Sequence, residues 1–279
     1  MISSMATHEP YYQAPPYTEL QPGIPDEANL ICGYPKTGRT WLRFMLANSI
    51  ADHYDLDIDV DLTNAYSIVP NSGGEIIPGQ PDFSQVAGLP RIEMSHAAYS
   101  DEQHGNANIL FLTRDPRDIM VSHWLHNTKQ IKQSSQGLAE FVRNPATGVD
   151  TFLRHLEGWS PHLGDEQVIT YESMRLDPVG ALKRVTSRFG LSITDSETSR
   201  AVESASMEAM RRKEVERGIA GHQSLYDRND PEARRVRRGK VGGFTDYLVS
   251  EDETFIRERV AASNDRTKGI IALTGYFSR

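Results

Sequence analysis

The chain has 279 residues, 38% of them hydrophobic and 24% charged, with 21 Gly and 15 Pro dispersed along it; this balance excludes collagen-like, coiled-coil and wholly disordered chains and supports a packed core. Thirty Lys and Arg against 38 Asp and Glu leave a formal charge of −8, which excludes a general nucleic-acid or anionic-membrane binder and points to a small-molecule partner. A single cysteine, Cys32, excludes an intramolecular disulfide, and nine His without a CxxC or HExxH pattern give no metal cage to expect.

Residues 1–27 are rich in Pro, Tyr and Gln without periodicity and are expected to form an extended arm. They lack the basic start and apolar stretch of a signal peptide, and no run approaches the ~18 apolar residues of a membrane span, so a cytoplasmic location is expected. Asn29-Leu30-Ile31-Cys32 predicts a short buried strand, which enters a loop from Gly33 to Thr40 marked by its Gly and Pro. Trp41, Leu42, Phe44, Met45 and Ile50 then recur at helical spacing. Residues 53–107 show short pieces and many turn residues. Ile109 to Leu112 predicts a second strand, and Asp115-Pro116 opens a helix through Ile119, Val121 and Leu125, with Asp as N-cap and Pro at the first helical position. Gln167 to Tyr171 predicts a third strand, and Asp177-Pro178 repeats the helix-start signal ahead of Leu182, Val185 and Phe189. Residues 212–250 read as loop, with several Gly and a dense run of Arg. Three strand–helix units predict an α/β fold with a central, mostly parallel sheet flanked by helices, in a single domain over 28–279.

The first loop, Gly33-Tyr34-Pro35-Lys36-Thr37-Gly38-Arg39-Thr40, fits the pattern G-x-x-x-x-G-K-[ST] except that Arg39 stands where the nucleotide-binding Lys belongs. A loop that leaves a buried strand and enters a helix offers backbone N–H groups and a positive dipole end to a phosphate or sulfate, and Thr37 and Thr40 can add hydroxyls. Two further readings stay open on this loop. One is a P-loop NTPase or kinase with Mg²⁺ on Thr40, weakened by Arg39; the other is a nucleotide-binding module without catalysis. After the second strand comes Arg114-Asp115-Pro116-Arg117-Asp118-Ile119-Met120-Val121-Ser122, in which Arg114 can grip a phosphate bidentately and Ser122, two helical turns on, can supply a hydroxyl. Residues 211–240 hold ten Lys and Arg against five acids, a positive island that calls for an anionic partner.

Together these strings resemble the sulfotransferases that use 3′-phosphoadenosine 5′-phosphosulfate (PAPS). Tyr34 to Trp41 looks like their 5′-phosphosulfate loop, Arg114 to Ser122 is similar to their 3′-phosphate segment RxPxDxxxS, and Arg237-Arg238-Gly239 resembles their late RKG segment. The resemblance implies a P-loop-like three-layer fold and in-line transfer of a sulfuryl group from PAPS to an acceptor hydroxyl or amine, with adenosine 3′,5′-bisphosphate (PAP) as product and no metal. It implies nucleotide binding by Lys36, Thr37, Gly38, Arg39, Thr40, Arg114, Ser122, Arg237, Arg238 and Gly239. Trp41 would stack on adenine, Tyr171 would sit at its edge, and Met207 falls where many members carry an adenine-packing Phe. His96, in Glu93-Met94-Ser95-His96-Ala97, resembles the family's catalytic histidine and is assigned as general base, with Lys36 steadying the leaving phosphate oxygen and His123 and His126 either rivals for the base or lining of the acceptor site. Met94 replaces the family's Lys two residues before that histidine, so that lysine's charge is either absent or supplied from elsewhere, with Arg91 and Arg39 as candidates; Arg39, standing in place of the family's small Thr, Ser or Asn, would reach the sulfate or close the pocket mouth. The family's Lys-Thr-Val dimerisation string is not found in Gly242 to Val249, so the oligomeric state stays open. The acceptor is also open, with Tyr54, Tyr66, Phe83, Tyr99 and Trp124 available to line its pocket.

Overall fold

The computed structural model describes residues 28–73, 80–218, 227 and 229–279. The expected arm at 1–27 and Arg228 of the basic run lie outside the described residues. Four strands, β1 (Asn29–Cys32), β2 (Ile92–Ser95), β3 (Asn108–Thr113) and β4 (Val168–Thr170), form one sheet in the order β2-β1-β3-β4. Every pairing is parallel, with Cys32 opposite Ser95 on one side and Phe111 on the other.

The strands are apolar on both faces because both are covered. Alternate residues point to opposite sides: Leu30, Cys32, Ile109, Phe111 and Val168 join one core, and Ile31, Met94, Leu110, Leu112 and Ile169 join the other. The helices are α1 (Arg39–His53), α2 (Ala65–Ile68), α3 (Asp101–His104), α4 (Pro116–Leu125), α5 (Leu138–Arg143), α6 (Val149–Trp159), α7 (Tyr171–Leu176), α8 (Pro178–Arg188), α9 (Asp195–Ser204), α10 (Met207–Arg217), α11 (Ser250–Ala261) and α12 (Asp265–Ala272). Helices α4, α6, α11 and α12 pack into the core of Leu30 and Phe111, whereas α1, α8 and α9 pack into that of Ile31 and Leu112. The result is helix, sheet, helix.

The expected helix starts are present. The Asp115 carboxylate accepts the Arg117 N–H at 2.9 Å ahead of α4, and Asp177 accepts the Gly180 N–H at 2.8 Å ahead of α8. Three boundaries differ from expectation. Ile92–Ser95 is a strand within a stretch that reads as short pieces and turns. The third strand ends at Thr170, whose hydroxyl accepts the Ser173 N–H at 3.0 Å and so starts a helix at Tyr171. Residues 212–217, expected as loop, complete α10.

From β1 the chain moves to β2 on one flank and then to β3 on the other. That reversal opens a crevice at the carboxyl ends of β1 and β3, the place where open parallel sheets bind ligands.

Candidate active site

Each strand delivers one piece of the site at its carboxyl end: the loop Gly33 to Gly38 after β1, His96 after β2, Arg114 after β3 and Tyr171 after β4. Gly33 is dictated by packing, because a Cβ there would lie 2.2 Å from the Leu112 carbonyl oxygen on β3. The loop then turns through two left-handed residues, Lys36 at φ 72° and Gly38 at φ 105°. Between them Thr37 faces inward and donates its hydroxyl to the Tyr34 carbonyl at 2.9 Å, so in this structure it braces the loop. Gly38 occupies the N-cap of α1 without a side-chain cap, and its carbonyl accepts the Trp41 N–H at 3.0 Å, so the Arg39 and Thr40 N–H groups are the ones placed to meet an anion.

Lys36 is half-buried, and its ammonium is held well below the usual lysine value by burial and then by Arg235, Arg237 and Arg114, with Glu214 pulling the other way. Arg114 is nearly enclosed. Its guanidinium lies 3.3 Å from the Asp118 carboxylate, donates to the Lys240 carbonyl at 3.2 Å and stacks 4.2 Å above the Tyr171 ring, while its Nε is buried with no partner among the described residues. Asp118 in turn accepts the N–H groups of Gly242 and Phe244 at 2.9 Å each, fastening the late glycine segment onto α4.

That segment presents its two arginines differently. Arg237 donates to the Tyr247 hydroxyl at 2.9 Å, lies 3.4 Å from the Glu232 carboxylate and is close enough to depress Lys36. Arg238 is exposed and paired with Glu232 at 2.8 Å and Asp246 at 2.9 Å. Gly239, at φ 62°, brings the backbone against Met207, whose sulfur would stand 2.8 Å from a Cβ. Trp41 donates its indole N–H to the Ala205 carbonyl at 3.0 Å and meets Tyr171 edge-on at 5.8 Å, with the Arg175 guanidinium 5.4 Å from its ring. Thr40 and Ser122 are half-buried on α1 and α4.

His96 sits beside the loop because β2 pairs with β1. Its Nδ1 lies 2.6 Å from the Gly33 carbonyl; a carbonyl can only accept, so Nδ1 carries the proton and Nε2 keeps the lone pair. Burial, followed by the nearby Arg39, lowers its pKa well below 6.5 against the opposing effect of that carbonyl. The peptide after it is braced by His155 Nε2 and Trp159 Nε1, each 3.1 Å from the Ala97 carbonyl. Both rivals are deeper. His123 is 2% exposed, with a pKa pushed down to about 3 by burial and then by Lys36, and His126 is wholly buried with Nδ1 2.6 Å from the Gln130 side-chain oxygen.

Of the two candidates for the missing lysine charge, Arg91 is excluded: it precedes β2 and is paired with Glu93 at 2.5 Å. Arg39 is close enough to act on His96. Three further residues, Arg43, Arg235 and Glu214, belong to the cluster. Arg43 is 2% exposed, donates to the Val69 carbonyl at 2.8 Å and the Asn71 side-chain oxygen at 2.6 Å, and lies 3.7 Å above the Tyr66 ring. Arg235 lowers Lys36, Arg39 and Arg43, and the fully buried Glu214 on α10 holds it in place by accepting the Arg235 and Val236 N–H groups at 2.7 and 2.9 Å. Arg43 has a faint sequence signal, four residues after Arg39 and so on the same helix face. Arg235 has none beyond the charge run.

A parallel sheet with a glycine-bounded anion loop after β1 and a basic crevice at its strand ends defines a nucleotide-binding α/β protein. The sulfotransferase domain model matches residues 26–268, and the chain belongs to that family of enzymes, which draw on PAPS as donor and release PAP. Cytosolic sulfotransferase 17 of Arabidopsis thaliana is 26% identical over 256 residues, covering 79% of this chain and 69% of that protein. Sulfotransferase 4A1 of Homo sapiens is 26% identical over 239 residues, covering 81% and 76%. The fold is also that of mouse sulfotransferase SULT7A1 solved with PAP, at a TM-score of 0.61 and 19% identity over 91% of this chain and 90% of that one. Retinol dehydratase solved with androsterone and inactive PAP gives a TM-score of 0.61 at 16% identity, over 86% and 83%. Among the described residues no helix is long and apolar enough to cross a membrane.

Proposed function

We propose that this enzyme moves the sulfuryl group of PAPS in line to a hydroxyl or amine of a small-molecule acceptor, with neutral His96 as general base and Lys36 at the leaving phosphate oxygen. The reading is carried by the bond between His96 Nδ1 and the Gly33 carbonyl, which ties an imidazole whose Nε2 keeps its lone pair to the loop that holds Lys36. The residues suit the donor: Lys36 has no carboxylate partner among the described residues, Arg114 keeps a spare Nε, and the turn at Lys36 and Gly38 is built for an anion. The loop and Lys36 would take the 5′-phosphosulfate, Arg114, Ser122, Arg237, Arg238 and Gly239 the 3′-phosphate, and Trp41, Tyr171 and Met207 the adenine.

The donor supplies an activated sulfuryl group, and the chain's own groups manage charge and protons. His96 Nε2 takes the acceptor's proton as the new bond to sulfur forms. Lys36 offsets the negative charge that collects on the bridging phosphate oxygen as the old bond breaks. We read residues 28–279 as one catalytic domain acting in the cytoplasm.

The test uses PAP titration without Mg²⁺ together with transfer of radiolabelled sulfuryl from PAPS to a library of alcohols, phenols and amines. His96→Ala should lose about 10²–10⁴-fold in transfer while PAP affinity stays within about threefold. Near-parent turnover in that variant moves the base elsewhere, and Mg²⁺-dependent ATP binding without PAP binding restores the NTPase reading.

A further inference from the structure

From Arg234 to Lys240 the chain forms neither helix nor strand, and this stretch contains Arg237-Arg238-Gly239. A backbone of that kind must find hydrogen bonds outside a regular ladder, and here side chains supply them. The Arg234 carbonyl accepts from Gln130 Nε2 at 2.9 Å, where Gln130 closes the π-helical turn His126–Gln130 that follows α4. The two carboxylate oxygens of Glu214 accept the Arg235 and Val236 N–H groups at 2.7 and 2.9 Å. Arg211 donates from Nε to the Val236 carbonyl at 3.3 Å and from Nη2 to the Arg237 carbonyl.

Met207, Arg211 and Glu214 fall at i, i+4 and i+7 of α10, on one face of the helix. They meet the segment in reverse order: Met207 at Gly239, Arg211 at Arg237 and Val236, Glu214 at Val236 and Arg235. That face is a template along which the segment is laid. Past it the Lys240 carbonyl accepts from Arg114, and Asp118 takes the Gly242 and Phe244 N–H groups, so the far end is fastened as well.

The fastening stops where a ligand would begin. Among the described residues nothing accepts the N–H groups of Arg237, Arg238 or Gly239, and successive N–H groups of this kind form an anion-binding concavity. Glu214 is wholly buried. In a site whose ligand is an anion a carboxylate opposes that ligand by charge, so what Glu214 contributes is the shape it imposes on two peptide groups. A loop already held in its binding shape loses no affinity to the ordering of its backbone.

We infer that Glu214 and Arg211 are positioning residues for the donor, holding the late basic segment in the shape that receives the 3′-phosphate before the donor arrives. They act through Arg237, Arg238 and Gly239 and do not themselves touch the nucleotide. The inference rests on the sulfotransferase reading, with the 3′-phosphate at those three residues.

The experiment compares PAP with adenosine 5′-phosphate, which lacks the 3′-phosphate, in displacement titrations without Mg²⁺. The parent should prefer PAP by about tenfold or more. Failure to do so strikes the donor reading itself, and the inference with it, before any variant is made. In Glu214→Gln the amide oxygen can serve only one of the two N–H groups, so PAP should weaken by about tenfold while adenosine 5′-phosphate stays within about threefold of the parent. The sign separates shape from charge, because a carboxylate acting by charge alone would, once neutralised, let PAP bind more tightly. Arg211→Lys keeps the charge but not the planar fork that spans two carbonyls; it should weaken PAP by about threefold or more and leave adenosine 5′-phosphate unchanged. Unchanged or tighter PAP binding in Glu214→Gln, or a loss shared equally by both nucleotides, overturns the inference. Should Glu214→Gln fail to fold, a parent-like preference for PAP in Arg211→Lys overturns it.

Discussion

Replacing Gly38 by Ala puts a methyl group where the loop has no room for one. The residue sits at φ 105°, a conformation that costs an L-residue ~1–2 kcal/mol. Its Cβ would lie 2.6 Å from Tyr171 Cδ2, and ordinary contact begins at 3.4 Å, so the ring must retreat by about 0.8 Å. Tyr171 is 6% exposed and packed in the core, so that shift adds an overpacking cost of ~1–3 kcal/mol. The sum is ~2–5 kcal/mol, and at ~2–4 °C per kcal/mol for a chain of this size the melting temperature should fall by roughly 4–20 °C. Function suffers through the same ring, which supports Arg114 at 4.2 Å and Trp41 at 5.8 Å. Loss of that support, worth ~0.5–2 kcal/mol for the cation over the ring, should weaken PAP by about tenfold. Thermal unfolding and calorimetric titration with PAP read the two effects separately. A variant that melts within about 1 °C of the parent and binds PAP within about twofold would refute the account of how loop, ring and arginine are stacked.

Gly33→Ala should cost more than ~3 kcal/mol or abolish folding, since its Cβ would meet backbone on β3 at 2.2 Å. Gly269→Ala, on an exposed face of α12 with nothing within 4 Å, should instead stabilise by ~0.5–1 kcal/mol in urea unfolding. The His96 imidazole, lowered by burial and by Arg39, should titrate below 6.5 by NMR and so remain neutral at physiological pH; Arg39→Met should move its midpoint upward. Glu172 has its carboxyl raised to about 7, first by burial. The folded state then holds a proton that the unfolded chain, near 4.5, releases, so this group's contribution to stability is complete below about pH 4.5 and is lost as pH rises through 7, by ~3 kcal/mol in all. Glu172→Gln should flatten that part of the stability profile measured by urea unfolding.

Much of the architecture is visible in the sequence because its signals are local. Apolar runs mark β1, β3 and β4, and Asp-Pro pairs mark the starts of α4 and α8, since N-cap and first-turn geometry depend on adjacent residues. β2 escapes that reading: Ile-Glu-Met-Ser alternates polar and apolar, and its Glu93, only 4% exposed, is made tolerable by Arg91 two residues back. Without β2, His96 can be assigned through resemblance to a family motif but cannot be placed against the Gly33 carbonyl, a contact across 63 residues. The same limit hides the division of labour in Arg237-Arg238-Gly239, where the pairing of Arg238 with Glu232 and Asp246 depends on how the late loop folds back. Arg235 looks like any member of a basic run until Glu214 fixes its backbone.

The order of the strands sorts the proposed chemistry spatially: the Lys36 loop, Arg114 and Tyr171 follow β1, β3 and β4, and His96 follows β2 at the margin of the sheet. On that flank the Asp59 carboxylate and the Val60 carbonyl accept from Lys213 on α10 at 2.7 and 2.6 Å, and the Val69 carbonyl and the Asn71 side chain accept from Arg43 on α1. Under the proposed roles, exchanging residues along this border of the sheet alters the surroundings of His96 first, and its bonds to α10, which also fastens Arg235 and Val236, pass part of any shift on to the late basic segment.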